Sequence, residues 1–312
     1  MPIERRPHPS ETVGGLRPPL PGFPFFAHAD RFPFEPRATA YSAVNAWWLA
    51  DTSFLVYGTA SFIEDVLHHS ALPSQGFQLD WLGTRDENRG MILSNDATLV
   101  IVFRGTRLQV RTLFDLVEIV LIDEDDLWID SQFLPTVCRA GGHVHHGFLT
   151  AYADISDEVN TVVQARRPGQ ALWLTGHSMG GALATLATAH FGAPAIQGIY
   201  TYGCPRVGDT AFVNVLPRES YYRFVHRDDW VCTLPPDLLG YVHGGTLRQL
   251  PGSGPRRFWD DLLSGVGGLE GAVNSLANRL RLDIDQLPFK IAGLADHAPI
   301  YYATILWNAL VD

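Results

Sequence analysis

Lysine is almost missing from this chain: Lys290 is the only one in 312 residues, and every other basic side chain of the Lys/Arg type is an arginine. With 23 such residues against 33 acidic ones, the formal net charge is -10. A body of that sign repels phosphate backbones and anionic lipid head groups, which argues against nucleic acid and favours a neutral partner. Cysteine is scarce as well. Cys138, Cys204 and Cys232 are scattered and show no C-x-x-C spacing, so neither a disulfide framework nor a zinc ribbon is encoded, and buried free thiols are expected. No apolar run approaches the roughly 20 residues of a membrane-spanning helix, so no transmembrane segment is expected. The opening MPIERRPHPSETVGG carries arginines with no apolar stretch behind them and does not read as a secretory signal. Unless a leader has been removed, that predicts a cytoplasmic protein.

What is present is a large core. Hydrophobic residues make up 46% of the chain, and neither an internal repeat nor a linker divides it, so a single domain over 1–312 is expected. Residues 17–36, RPPLPGFPFFAHADRFPFEP, mix prolines with phenylalanines. Such a segment cannot be a helix interior, and its aromatics are unfavourable in water. An extended arm over residues 1–40, laid on the body, follows. From Tyr41 to Leu72 the apolar spacing is helical. Beyond it FQLDWL, ATLVIVFRGT, ALWLTG, AIQGIYTYG and YYRFVHR read as strands, while GFLTAYADISDEVNTVVQ and GALATLATAHF read as helices. Alternation of this kind predicts an α/β fold with a mostly parallel central sheet flanked by helices.

Between the buried strand LWLTG and the small-residue helix stands Gly176-His177-Ser178-Met179-Gly180, a G-x-S-x-G sequence in the strand–turn–helix context it requires. So tight a turn forces the serine hydroxyl outward, at the positive end of the following helix. A serine alone is a poor nucleophile and needs a base with an acid to orient it. Asp228 and Asp229 follow the strand YYRFVHR directly, where loops converge on the nucleophile, and one of them should be the acid. Among later histidines, His226 is too near Asp229 in the chain to face it and reads as structural, and His243 precedes a long further segment. His297 lies on a loop that Asp296 and Pro299 place just before a final helix, and it is the expected base. His143, His145 and His146 have no convergent carboxylate, so neither a metal nor an organic cofactor is expected.

These residues resemble the class 3 lipases, an α/β-hydrolase family typified by fungal triacylglycerol lipases. VIVFRGT (100–106) is similar to the family's strand and oxyanion turn, VHHGF (144–148) to its V-H-x-G-F, and GHSMGGALA to its nucleophile elbow. YTYGCPRVGD and RFVHRDDWVCTLPP are similar to its two later strands, so the likeness runs over about residues 95 to 245 in the family's order. The resemblance implies Ser178 as nucleophile, Asp229 as acid and His297 as base, with the backbone N–H groups of Thr106 and Met179 as oxyanion donors. It also implies a support for the elbow at His145 and a lid after the oxyanion turn. Cys232 stands where the acid loop often carries proline, and the stretch from Thr246 to Asp296 is longer than the pattern leads one to expect.

The lid would fall at 107–128, where Leu113, Leu116, Val117, Val120 and Leu121 can form one apolar face. A second apolar stripe within 255–290 suggests a cap over the pocket. The expected function is cleavage of a neutral ester or lipid, most simply an acylglycerol, through a Ser-Asp-His triad. A phospholipase, a feruloyl-type esterase or an acyltransferase with the same triad remain as alternatives, and the sequence leaves the oligomeric state open.

Overall fold

A computed structural model describes residues 3–9, 16, 20–105, 135–251 and 295–312. The expected lid at 107–128, the expected cap at 255–290 and Thr106 lie outside the described residues.

The centre of the molecule is set by two segments too apolar to face water. Strands β3 (Thr98–Phe103, TLVIVF) and β6 (Ala171–His177, ALWLTGH) are buried along their whole length. Strands of that composition need both faces covered, and parallel pairing with crossover helices provides it. They pair in parallel, Thr98 opposite Ala171 and Phe103 opposite Gly176. Strands β7 (Gly198–Tyr202), β8 (Tyr221–His226) and β9 (Thr246–Leu250) extend the parallel part on one side. Strands β1 (Gln78–Leu82) and β2 (Gly90–Ser94) continue it antiparallel on the other. The order is β1-β2-β3-β6-β7-β8-β9. Both outer strands turn polar and exposed, as edges that must not pair with another chain do. A separate antiparallel pair joins β4 (Pro135–Val137) to β5 (His143–His145).

Helices cover both faces. On one side α1 (Ala43–Leu55) and α6 (Pro299–Val311) share a core with Trp173, Tyr200, Tyr202 and Phe224 of the sheet. On the other, α3 (His146–Gln164) and α4 (Met179–Phe191) pack on Leu99, Ile101, Phe103 and Leu174. This is the α/β-hydrolase architecture, and the ends of β6 and β8 place the candidate residues at one edge of the sheet. The helical pattern of 41–72 is divided: Ser42 Oγ caps α1 by accepting from Asn45 N–H at 3.0 Å, and Thr59 Oγ1 caps α2 (Ala60–His68) by accepting from Phe62 N–H at 3.3 Å. Between them Gly58 admits a turn in which a Cβ would come within 2.8 Å of the Phe62 ring. One short helix, α5 (Thr210–Val213), follows β7.

Residues 20–40 contain turns but no helix or strand, and Phe25, Phe26 and Phe34 are buried against the α1–α6 face. Backbone groups of this segment find side-chain partners: Trp48 Nε1–H donates to Phe32 O at 2.8 Å and Trp173 Nε1–H to Pro36 O at 3.1 Å. At the centre, the Arg6 guanidinium grips Asp51 of α1 with both nitrogens, at 2.6 and 2.7 Å, and donates to Ala303 O of α6 and to Pro24 O. Phe26 N–H donates to the same carboxylate at 2.8 Å. A fully buried pair of this kind is costly to break from one side, because the survivor is left as an unpaired charge. Arg6→Ala is therefore expected to lower unfolding stability by about 3–5 kcal/mol in urea titrations. A loss under ~1 kcal/mol would show that this contact does not anchor the segment.

Candidate active site

Ser178 sits where β6 must turn into α4 with almost no room. Its backbone is left-handed, φ 58° and ψ −130°, an arrangement non-glycine residues rarely adopt and one that stores of order 1–3 kcal/mol. The flanking glycines explain why the turn closes. A Cβ on Gly176 would lie 2.3 Å from the Gly180 carbonyl carbon, and one on Gly180 would lie 2.2 Å from Phe103 O at the end of β3. The turn is held by Ser178 N–H donating to Tyr202 O at 2.9 Å and by Gly181 N–H donating to Ser178 O at 2.9 Å. Met179 is the first residue of α4, so its backbone stands at the positive end of that helix.

Asp229 follows β8 after a second strained residue, Arg227, with φ 43°. Its carboxylate is buried and receives bonds from every side. His297 Nδ1–H lies 2.9 and 3.0 Å from its two oxygens, Val231 N–H donates at 3.0 Å, and the Tyr302 hydroxyl donates at 2.5 Å. Burial by itself would push the carboxyl up, but His297, Tyr302 and more distantly His177 hold it below the usual carboxylate range. Because Nδ1 donates to Asp229, Nε2 of His297 is the basic nitrogen; it is buried and has no hydrogen-bond partner among the described residues. His297 ends a short 3-10 turn, Ala295–His297, and Pro299 opens α6.

The structure thus brings Asp229 and His297 together and sets the residue before Ser178 against them, the His177 ring tilted on that of His297 at 4.4 Å between centroids, while no hydrogen bond joins Ser178 Oγ to His297 Nε2. The backbone N–H of Asp228 donates to Asp296 Oδ2 at 3.3 Å. His226 bonds the backbone oxygen of Asp296 through Nδ1 at 3.0 Å and stacks on Tyr301 at 4.7 Å. His243 donates from Nε2 to Cys232 O at 2.7 Å and so braces the acid loop; burial, with Arg223 and Arg206 nearby, lowers its pKa to about 3. His145 caps α3, accepting from Phe148 N–H at 3.3 Å, while Nδ1 of His143 and of His146 reach Asp209 and Thr136 respectively. Among the described residues, no three His, Cys, Asp or Glu side chains converge as a metal site would require. The three cysteines are free thiols, two of them buried.

Three participants had weak signals in the sequence. Gly203, with φ 56°, passes so close that a Cβ would stand 2.8 Å from Asp229 Oδ2 and 2.9 Å from the His297 ring; the glycine in YTYG was its only trace. Tyr302 reads as half of an aromatic pair until its hydroxyl is seen on Asp229. Tyr57, whose hydroxyl lies 2.9 Å from His177 Nδ1, has no local motif at all.

With this geometry in hand, comparison with known proteins is informative. Residues 100–239 match the family described as lipase (class 3). Over these residues the chain is similar to the class 3 lipases. A protein named secreted mono- and diacylglycerol lipase 1, from Fusarium solani, is 35% identical over 154 residues, 47% of this chain and 46% of that one. A lipase of Rhizomucor miehei is 30% identical over 194 residues, 58% of this chain and 50% of that one. The solved Rhizomucor miehei lipase propeptide complex is 24% identical, with 65% of this chain and 66% of that chain covered and a TM-score of 0.49. The chain spans about half the length of the curated relatives it matches. The expectation of a cytoplasmic protein is overturned: the Fusarium relative is named as secreted. No helix among the described residues is long and apolar enough to cross a membrane.

The Tyr302 contact gives a measurable consequence. A hydrogen bond to a charged group contributes about 1.5–3 kcal/mol, so Tyr302→Phe should destabilise the fold by that amount at neutral pH. An ionised Asp229 with a lowered pKa adds stability above the ordinary carboxyl value of 3.8, and that contribution is lost as pH falls through the lower folded value. The gap between wild type and variant in urea unfolding should therefore be full at pH 7 and shrink on acidification below that value. A gap that stayed constant would mean that the hydroxyl acts by packing alone.

Proposed function

We propose that the protein is a serine carboxylic-ester hydrolase that cleaves neutral acylglycerol esters, with Ser178 as nucleophile, His297 as general base and acid, and Asp229 as the group that orients it. The observation that carries this reading is the buried Asp229–His297 pair, 2.9 Å apart, whose outer nitrogen Nε2 has no hydrogen-bond partner among the described residues.

The chemistry follows from the arrangement. Ser178 Oγ bonds to the ester carbonyl carbon while its proton passes to His297 Nε2, and Asp229 stabilises the imidazolium that forms. The oxyanion is held by the backbone N–H of Met179 at the start of α4 and by that of Thr106, each such donor contributing roughly a hundred- to a thousand-fold in rate. Collapse expels the alcohol, which takes the proton from Nε2. A water then repeats the sequence on the acyl-enzyme and releases the acid. No metal or organic cofactor enters any step. The negative net charge suits a neutral substrate better than an anionic one. The name of the Fusarium relative, a mono- and diacylglycerol lipase, supports partial glycerides as the first esters to try.

The test is a hydrolysis profile over acyl lengths and glyceride classes, below and above substrate solubility, with phospholipid and feruloyl esters alongside and an alcohol acceptor added in one arm. Acylglycerols should be preferred, with free acid as the main product. Ser178→Ala should lose on the order of a million-fold in kcat. Substantial turnover in that variant would overturn the mechanism, and preference for phospholipids, feruloyl esters or the added alcohol would overturn the substrate assignment.

A further inference from the structure

His177, the residue just before the candidate nucleophile, is buried to 1% exposure, yet both its ring nitrogens are used. Nε2 lies 2.7 Å from the backbone carbonyl oxygen of His297, and Nδ1 lies 2.9 Å from the Tyr57 hydroxyl. A carbonyl oxygen only accepts, so Nε2 carries the hydrogen. In a neutral ring Nδ1 is then an acceptor, and the Tyr57 O–H must donate to it. Burial, reinforced by the nearby His297, lowers the His177 pKa to about 3, so the ring is neutral wherever a base at His297 could work. Burial likewise pushes the Tyr57 hydroxyl up, which keeps it a donor.

The backbone of Gly105, in the turn after β3, packs directly against the Tyr57 hydroxyl. Gly105 fits only because it lacks a side chain: a Cβ there would stand 2.2 Å from the Tyr57 hydroxyl and 2.8 Å from His177 O. Tyr57 thus touches the turn after β3 through packing on Gly105 and donates its O–H to His177 Nδ1. From the other side of the ring, Nε2–H runs to His297 C=O. The residues joined in this way are the immediate neighbours of Thr106 and Ser178, and His297 itself.

We propose that Tyr57 and His177 form a positioning bridge that holds the His297 loop at a set distance from the turn after β3, so that base and oxyanion donors keep their spacing through the reaction. The bridge rests on the assignment of His297 as the base. Neither side chain touches the reacting atoms in this scheme; both act through backbone. An apolar residue in place of His177 would fill the same space and avoid burying two polar atoms, and what it would lack is the pair of directed bonds. A displacement of about 1 Å between reacting groups costs on the order of a hundred-fold in rate, so modest slack in the bridge is enough to be seen.

The experiment uses the full chain, a short-chain p-nitrophenyl ester below its solubility, and four variants: Tyr57→Phe, His177→Leu, His177→Gln and Ser178→Ala. Tyr57→Phe and His177→Leu should lower kcat about 10- to 100-fold with KM changed less than about two-fold. Fluorophosphonate labelling of Ser178 should slow by the same factor. His177→Gln, whose amide N–H can still donate to His297 C=O, should recover about ten-fold or more over His177→Leu. Imidazole nitrogen NMR of the wild type should show His177 protonated at Nε2 only, without titration between pH 5 and 9. Unchanged kcat in Tyr57→Phe and His177→Leu, equal losses in His177→Gln and His177→Leu, or a loss matched by the unfolded fraction at the assay temperature would each overturn the bridge. Ser178→Ala separates the two claims. Retained turnover there removes the triad assignment, while the His177 tautomer and its bonds are read by NMR independently of activity.

Discussion

Much of this structure follows from how closely β3, β6 and the start of α4 approach one another. Gly180 lies against the carbonyl of Phe103, and Gly176 against Gly180, with no space for even a methyl group. That proximity gives Ser178 a left-handed backbone and turns it out of the strand direction. It also favours the small residues that open the helix, Gly180, Gly181 and Ala182, all of them buried. The strain is not relieved locally. It is held by the parallel ladder on both sides of β6, which fixes the register of the whole strand from Ala171 to His177.

Around that contact the fold buries polar side chains and satisfies several of them in pairs. Asp229 is the clearest case: a lone carboxylate in that position would protonate, and it stays ionised because an imidazole, a hydroxyl and a backbone N–H all point at it. Arg6 and Asp51 solve the same problem at the opposite face of the α1–α6 layer with a two-pronged ion pair. The groups buried without a partner are therefore informative. His297 Nε2 is one of them among the described residues, and this open nitrogen at the end of a bonded network is what the proposed mechanism uses to accept a proton.

What the sequence made legible was what depends on local pattern. TLVIVF and ALWLTGH announce strands buried on both faces, GHSMGG announces a tight strand-to-helix turn, and Asp296 with Pro299 marks the start of a last helix behind His297. The two adjacent carboxylates after β8 could not be told apart by pattern alone. A left-handed Arg227 decides which of them faces His297, and nothing in RDD shows that a single residue there reverses the chain. Tyr57 and Gly203 were hidden for a different reason. Their partners lie far away in sequence, so only packing brings a hydroxyl to His177 or removes a side chain from beside Asp229. The location was misjudged because an opening segment carries no information about compartment once its apolar signal is missing.

The Asn308 side chain clasps the backbone of Arg6 at both N–H and C=O, at 2.7 and 3.0 Å, and Trp307 Nε1–H reaches Glu4 O at 3.0 Å. These contacts tie α6 to residues 302 positions earlier in the chain. During synthesis the chain emerges from its amino end, and earlier segments fold first. The Ser178 elbow, the acid loop and the opening segment are all made before the segment that bears His297. A nascent chain thus carries the Ser178 turn without His297 beside Asp229 until α6 docks against α1 and the residues around Arg6, and on the proposed mechanism the site is complete only from that step onward.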